Sequence, residues 1–266
     1  EDLHFIHQRS EAADAVPLLL LHGWPSTVYE FHKIIDGLVR PARDSDQAFH
    51  VVAPSLPGYA WSGPTRSAGW DVRRMARAFA ALMARLGYDS FGIQGTDWGA
   101  MIGTELALGE PRRVVGLHLN MVLVRPPADG MTGLNDRERH ALEDEASWLE
   151  REMAYDVIQS SRPQTLGYAL HDSPVGLAAW IVEKYRSWSD CSGDVEKRFS
   201  KDDLLATATT YWVTDTITSS MRLYFDYARM KPRFGCDDRR VEAPTACALF
   251  PADMYHPPRR WAEQRF

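Results

Sequence analysis

The chain has 266 residues, 45% of them hydrophobic, and a net charge of -6; a chain of that size buries one substantial core and commonly gains a second, smaller layer or lid. Its acidic balance, and basic residues that are scattered or locally paired like Arg259 and Arg260, exclude a phosphate track and with it a nucleic-acid partner. Cys191, Cys236 and Cys247 are odd in number and lack metal-ligand spacing, so they read as free thiols of a reducing compartment; with no signal peptide, membrane-spanning run, internal repeat or low-complexity tract, the expected location is cytoplasmic.

The first part of the chain alternates strand and helix. Apolar runs predict strands at 18–22, 50–53, 91–94 and 114–119, and helical spacing predicts helices at 28–38, 71–86 and 98–108. Such alternation implies a mostly parallel sheet with helices on both faces. Between the second strand and the next helix, the Gly/Pro-punctuated stretch 54–64 forms a loop beyond a strand's C-terminal end, where open α/β sheets place their sites. From about Arg125 the rhythm changes to helical, with amphipathic stretches at 136–154, 174–187 and 204–213 and a polar loop at 189–203. Asp172 and Ser173 ahead of Pro174 make a helix start, because proline at the first helical position sacrifices no hydrogen bond. A strand signal returns at 245–250, followed by the loop 251–254. The helical stretch therefore reads as a lid inserted between sheet strands.

One short motif carries the chemistry. Gly95-Thr96-Asp97-Trp98-Gly99 lies between a buried strand and a helix, the setting of a nucleophile elbow, with a carboxylate where a hydrolase usually carries serine. Small flanking residues permit the strained turn, and Asp97 in place of serine moves the expected chemistry from acyl to alkyl transfer. Taken alone, the same Asp more commonly means a helix cap, stabilised by the free amides and the dipole. Upstream, the apolar run from Pro17 feeds His22-Gly23-Trp24-Pro25 and then a helical pattern, which resembles the oxyanion turn of α/β-hydrolases. That resemblance implies that the backbone amides of Trp24 and Trp98 converge on the Asp97 carboxyl and stabilise an oxyanion there. His22 is read as a structural histidine orienting the turn.

Several further stretches occur in the order seen in one family: Asp172-Ser173-Pro174-Val175-Gly176-Leu177-Ala178-Ala179, Phe199-Ser200-Lys201-Asp202-Asp203-Leu204-Leu205, and the loop from Pro54 to Gly63. Together with the two turns above, they make the chain resemble the epoxide hydrolases of the microsomal type over nearly its whole length. The resemblance implies an α/β-hydrolase fold with core segments 1–124 and 240–266 and a helical lid at 125–239, the final strand and helix of the fold being expected beyond Phe266. It places the family's two lid tyrosines on Tyr155 and Tyr224 and the acid of the charge relay on Asp253, with no cofactor and no metal. The implied partners are an apolar epoxide and water; no nucleic acid and no membrane segment is expected, and the oligomeric state is left open.

The residue types fit that chemistry. An epoxide offers no carbonyl, so a carboxylate must displace carbon while the ring oxygen departs as an alkoxide, a poor leaving group unless protonated or hydrogen-bonded. Phenols with a pKa of about 10 stay protonated at neutral pH and can supply that proton. Tyr168, Tyr185, Tyr211 and Tyr227 occupy the same helical region and are set aside only by the motif match. Without the resemblance, Asp253 is an ordinary loop carboxylate.

Hydrolysis of the ester needs a base, which the family places in a Gly-rich segment beyond the acid. None of the nine histidines has that setting; His256, three residues after Asp253, matches a part of the family pattern that is not catalytic. The chain is accordingly expected to lack segments at both ends, and a membrane anchor would belong to the N-terminal one. Hydrolysis is expected to be impaired in the chain as it stands. The alternatives are a haloalkane dehalogenase, which shares sheet, lid and an Asp-Trp elbow but uses halide-binding donors, and a catalytically inactive binding protein on the same fold.

Overall fold

The structure, a computed structural model, describes residues 1–43, 46–124, 132–231, 239–251, 253 and 255–266. Its six-stranded sheet has the order β1-β3-β2-β4-β5-β6, built from Phe5–Gln8, Val16–Leu21, Phe49–Pro54, Phe91–Gly95, Val114–Leu119 and Thr245–Cys247 in chain order. Every neighbouring pair is parallel except β1 with β3. The mostly parallel α/β sheet expected from the sequence is thus present, with β1 as an antiparallel edge strand that the sequence reading missed. Its four residues, with His7 and Gln8 among them, are too few and too polar to raise a periodic signal.

Alternation along the central strands divides the core between the two faces. Leu20, Val51 and Ala53 pack against Val28, Phe31, Ile35 and Val39, while Leu19, Leu21, Val52, Ile93 and Leu117 join the larger cluster on the other side. That larger face is covered by α2 (Val72–Arg85) and α3 (Trp98–Gly109). Helix α2 starts at Asp71, whose carboxylate accepts from the Arg74 amide at 2.9 Å, and its buried Val72, Met75, Ala76, Phe79 and Met83 recur at the three-to-four spacing of one helical stripe. Each large apolar side chain so buried contributes about 1.5–3 kcal/mol. Truncating Phe79, fully buried, is expected to cost about 3–5 kcal/mol.

The helix expected at 28–38 is instead a 3-10 turn, Val28–Phe31, followed by α1 (Ile35–Val39). Glu30, His32 and Ile34 donate their amides to the carbonyls of Thr27, Tyr29 and Phe31, three residues back, so the tighter winding keeps Val28 and Phe31 on one face over the sheet. The strand expected at 245–250 is β6 only over Thr245–Cys247, which pairs with β5; the Ala248 amide adds one bond to the Leu119 carbonyl.

The expected lid is helical: α4 (Asp136–Glu152), α5 (Ala154–Ser161), α6 (Pro163–Asp172), α7 (Pro174–Ser187), α8 (Lys201–Thr214) and α9 (Ile217–Arg229). Helix α4 ends before the expected 154 and α5 begins there; α5, α6 and α9 had no separate signal in the sequence. The loop at 189–203 holds a short 3-10 turn, Val195–Lys197, and the first turn of α8, capped by Ser200. Both ends of this region, 125–131 and 232–238, lie outside the described residues, as do Cys236 and the positions 252 and 254 of the expected loop. A short α10 (Arg259–Arg265) closes the chain. No helix among the described residues is long and apolar enough to cross a membrane.

Buried Glu105 on α3 ties this architecture together. Its carboxylate lies 3.3 Å from Arg73 of α2 and 3.0 Å from Arg239, which follows the helical region.

Candidate active site

Asp97 occupies the turn between β4 and α3 with φ 49° and ψ -122°, a conformation that side-chain-bearing residues rarely adopt. Neighbouring glycines make the turn possible: a Cβ on Gly95 would overlap the Gly99 backbone, and one on Gly99 would overlap the Leu21 carbonyl. The Thr96 amide donates to the Leu21 carbonyl at 3.1 Å, fastening the elbow to β2. Asp97 makes no side-chain cap bond to α3, which removes the helix-cap reading.

Its side chain points instead at the preceding turn. The Trp24 amide donates to Asp97 Oδ1 at 2.7 Å, across 73 residues of chain. A Cβ at Gly23 would fall on the Asp97 carboxyl, so only glycine lets the two turns approach this closely. Burial raises the Asp97 pKa to about 6, opposed by the Trp24 and Trp98 amides. The Trp98 amide therefore favours the charged form, but among the described residues only the Trp24 amide is found at normal hydrogen-bond geometry to this carboxylate, so the expected pair of donors is unequal.

Aromatic rings enclose the carboxylate. Tyr155, in the first turn of α5, stacks on Trp24 with centroids 5.4 Å apart and planes 5° off parallel. Tyr224 of α9 meets Trp24 edge-on at 5.8 Å, Trp98 at 4.7 Å and Tyr155 at 5.8 Å. Both tyrosines are buried, and burial holds both hydroxyls protonated well above the ordinary phenol pKa, with the Asp97 charge adding to the effect. Both phenols are therefore donors at neutral pH, held so chiefly by burial and secondarily by the Asp97 charge. The Lys184 ammonium, on a buried side chain, sits 4.9 Å from the centre of the Tyr155 ring and 5.5 Å from that of Trp188. Of the other tyrosines, Tyr168 is exposed, Tyr211 donates to the Ser26 carbonyl at 2.9 Å, Tyr185 packs edge-on against Phe199 and Tyr227 packs edge-on against Trp98.

Thus Asp97, Trp24, Trp98, Tyr155 and Tyr224 come together. Asp253 lies in the turn after β6, where it shares a cleft with Trp188, Arg198 and Phe250, and Trp188 in turn meets the Trp24 and Tyr155 rings. A roomier cleft of about 920 Å3 runs between α4 and the 249–259 segment and includes Asp253 and His256, but not Asp97.

His22 is fully buried, with Nδ1 on the Gly23 carbonyl at 2.9 Å and Nε2 accepting the Leu56 amide at 3.1 Å; burial lowers its pKa to about 4. Both ring nitrogens are occupied by backbone, as a structural histidine requires. His256 Nε2 bonds the Phe250 carbonyl at 2.7 Å. Among the described residues no group of His, Cys, Asp and Glu is arranged to hold a metal ion.

Two residues at the site escaped the sequence reading. Glu30 accepts from the Thr96 hydroxyl at 2.7 Å, directly behind Asp97. Tyr59, in the 54–64 loop, is fully buried against His22 and Tyr211, and among the described residues its hydroxyl has no hydrogen-bond partner. Glu30 sat among the polar positions between apolar ones, where a solvated side chain is the ordinary outcome.

The sequence pattern of the alpha/beta hydrolase fold matches residues 16–165. The crystal structure of juvenile hormone epoxide hydrolase from the silkworm Bombyx mori superposes with a TM-score of 0.90 at 33% identity, covering 99% of this chain and 68% of that one. The chain belongs to the epoxide hydrolases of the α/β-hydrolase fold. An Aspergillus niger epoxide hydrolase superposes with a TM-score of 0.84 at 31% identity, over 99% of this chain and 66% of that one. In sequence, epoxide hydrolase 1 of Sus scrofa is 38% identical over 293 residues, covering 100% of this chain and 64% of its own length. A Stigmatella aurantiaca protein described as an epoxide hydrolase is 42% identical over 267 residues, 99% of this chain and 60% of its own length. The chain thus spans about three fifths of the length of the curated relatives it matches.

Proposed function

We propose that this chain carries the ring-opening half of an epoxide hydrolase, with Asp97 as nucleophile and Tyr155 and Tyr224 as donors to the epoxide oxygen. The observation that carries the reading is the meeting of two buried, protonated phenols and one carboxylate around the Trp24 ring. Trp24 holds Oδ1, which leaves Oδ2 to attack a ring carbon from behind. The carbon–oxygen bond breaks with its electron pair on oxygen, and the alkoxide takes a proton or a hydrogen bond from a tyrosine. Loss of the Asp97 charge in the ester removes one of the influences that hold both phenols protonated, so they become better acids once the ring has opened. A haloalkane would need donors for a departing halide, whereas these phenols suit an alkoxide.

Water then attacks the ester carbonyl, the Trp24 amide supports the oxyanion with lesser help from Trp98, and the diol leaves. The base is the histidine that the family resemblance expects beyond Asp253, with Asp253 as its orienting acid. Supporting this, each of the nine histidines here is engaged elsewhere, as His4 is with Ser55, His7 with Tyr88 and His171 with Asp215. The helical region 125–239 acts as the lid that brings the tyrosines to the core, and the substrate is an apolar epoxide, matched to the aromatic walls. Cys191 and Cys247 are free thiols, which supports a reducing, cytoplasmic setting.

Incubation with styrene oxide, followed by intact-mass measurement and peptide mapping, tests the reading. One added epoxide mass on Asp97, abolished in Asp97→Ala, is expected, with little or no diol released. Absence of both adduct and diol overturns the reading; sustained diol formation by residues 1–266 would show that another group, with His256 first to be tested, serves as base.

A further inference from the structure

We propose that Glu30 is a positioning residue for Asp97, holding the turn that carries the Trp24 amide and the elbow that carries the nucleophile in one frame through the Thr96 hydroxyl. The inference rests on the epoxide-opening reading above and deepens it.

Thr96 has a single hydroxyl proton and two acceptors near it, the Leu21 carbonyl at 3.3 Å and Glu30 Oε1 at 2.7 Å. The shorter partner is also the one that can carry charge, so it takes the proton. Glu30 belongs to the 3-10 turn that follows Trp24 and Pro25, and Thr96 immediately precedes Asp97. Two bonds therefore close a ring between distant parts of the chain: Trp24 to the Asp97 carboxylate in front, and Thr96 to Glu30 behind. The Ser26 hydroxyl, 3.2 Å from the Gly23 carbonyl, also faces Glu30 and links it to the same turn. Inside this ring lies the strained backbone of Asp97, which keeps its shape only if its surroundings hold it.

A carboxylate is a costly choice for a brace so close to another carboxylate, since the two charges disfavour one another. Burial raises the Glu30 pKa to about 7, the hydroxyls of Ser26 and Thr96 oppose this, and the Asp97 charge adds to it. The other titratable groups facing Glu30 are Tyr185 of α7 and Tyr211 of α8, phenols that burial keeps neutral at this pH. Just after the turn, Lys33 and His32 face Asp203 instead. Forming the ester at Asp97 removes the neighbouring charge, so Glu30 ionises more readily and the bond from Thr96 becomes charge-assisted.

The test follows the rate of ester formation at Asp97 with styrene oxide and cyclohexene oxide as probes, by intact mass, from about pH 5 to 9. Thr96→Val and Glu30→Ala should slow it by roughly ten- to a hundredfold, the scale of a misplaced reacting group. Thr96→Ser should restore most of the loss. Glu30→Gln keeps an acceptor without the charge; it should slow the reaction less than Glu30→Ala and lose any inflection near pH 7 while keeping that of Asp97. Because Glu30→Gln and Thr96→Ser preserve volume, they decide the matter even if Glu30→Ala does not fold. The proposal is overturned if folded Thr96→Val alkylates at the parent rate, or if Glu30→Gln leaves the pH profile unchanged. If the parent itself forms no ester with either probe, the epoxide-opening reading fails and the role of Glu30 falls with it, a result distinct from a reactive parent with indifferent variants.

Discussion

The Trp24 indole and the Tyr155 phenol lie face to face, 5.4 Å between centroids and 5° from parallel, so the turn after β2 and helix α5 share one packed surface. Trp24 thereby serves twice: its amide holds the Asp97 carboxylate, and its ring packs against the Tyr155 phenol. Stacking of this kind adds about 0.5–1.5 kcal/mol to the burial of the two rings. Trp24→Leu keeps the amide but loses the stack, and it is expected to lower the rate of ester formation, as intact-mass kinetics would show.

Removing either phenol should be costly. Tyr155→Phe or Tyr224→Phe is expected to slow alkylation of Asp97 by roughly ten- to a thousandfold, the effect of losing one placed acid or oxyanion-type donor. Because the rings touch, the double variant should lose less than the product of the single losses. Unchanged rates in all three variants would make the tyrosines packing residues.

The raised pKa of Asp97 has two consequences of opposite sign. Its folded value is raised from 3.8 to about 6, so alkylation should climb as pH passes through about 6 and the nucleophile ionises. Stability moves the other way. The unfolded chain loses this proton first, near 3.8, so ionisation opposes folding increasingly between there and about 6 and fully above. Asp97→Asn should therefore raise the melting temperature at about pH 8 by more than at about pH 4, and an equal gain at both would contradict the assignment.

Glycine substitutions separate the site from the scaffold. Gly23→Ala places a methyl on the Asp97 carboxyl, whereas Gly37, within α1, has nothing within 4 Å of the added Cβ. We expect Gly37→Ala to stabilise by about 0.4–1 kcal/mol in urea denaturation. Gly23→Ala should lower ester formation by about a hundredfold or more through displacement of the nucleophile.

The Glu105 carboxylate, 3% exposed and shared by Arg73 and Arg239, anchors the chain where it returns from the helical region. Its partners are partly exposed, at 21% and 44%, so water can take them up once the acid is gone. Glu105→Ala should destabilise by about 1–3 kcal/mol, less than for a fully buried pair, with little change in the pH profile of alkylation.

Local patterns in the sequence determined much of this protein. Alternating strands and helices implied the parallel sheet, because burial on both faces demands continuous apolar strands such as Val16–Leu21. Glycines at 95 and 99 around Asp97 announced the elbow, since its strained backbone and close approach to β2 exclude larger residues. Tyr155 and Tyr224 were reachable only through resemblance, because nothing local distinguishes them from Tyr185 or Tyr211 on the same lid. Tertiary structure alone decided the rest. The Trp24 amide reaches the Asp97 carboxylate at 2.7 Å because two turns, 73 residues apart, meet. Glu30 meets Thr96 because the 3-10 winding of Val28–Phe31 turns a position that reads as polar surface toward the elbow. Sequence periodicity records which face a side chain takes along one element; how two elements meet, and so which charges share a site, depends on contacts between distant segments that no local window contains.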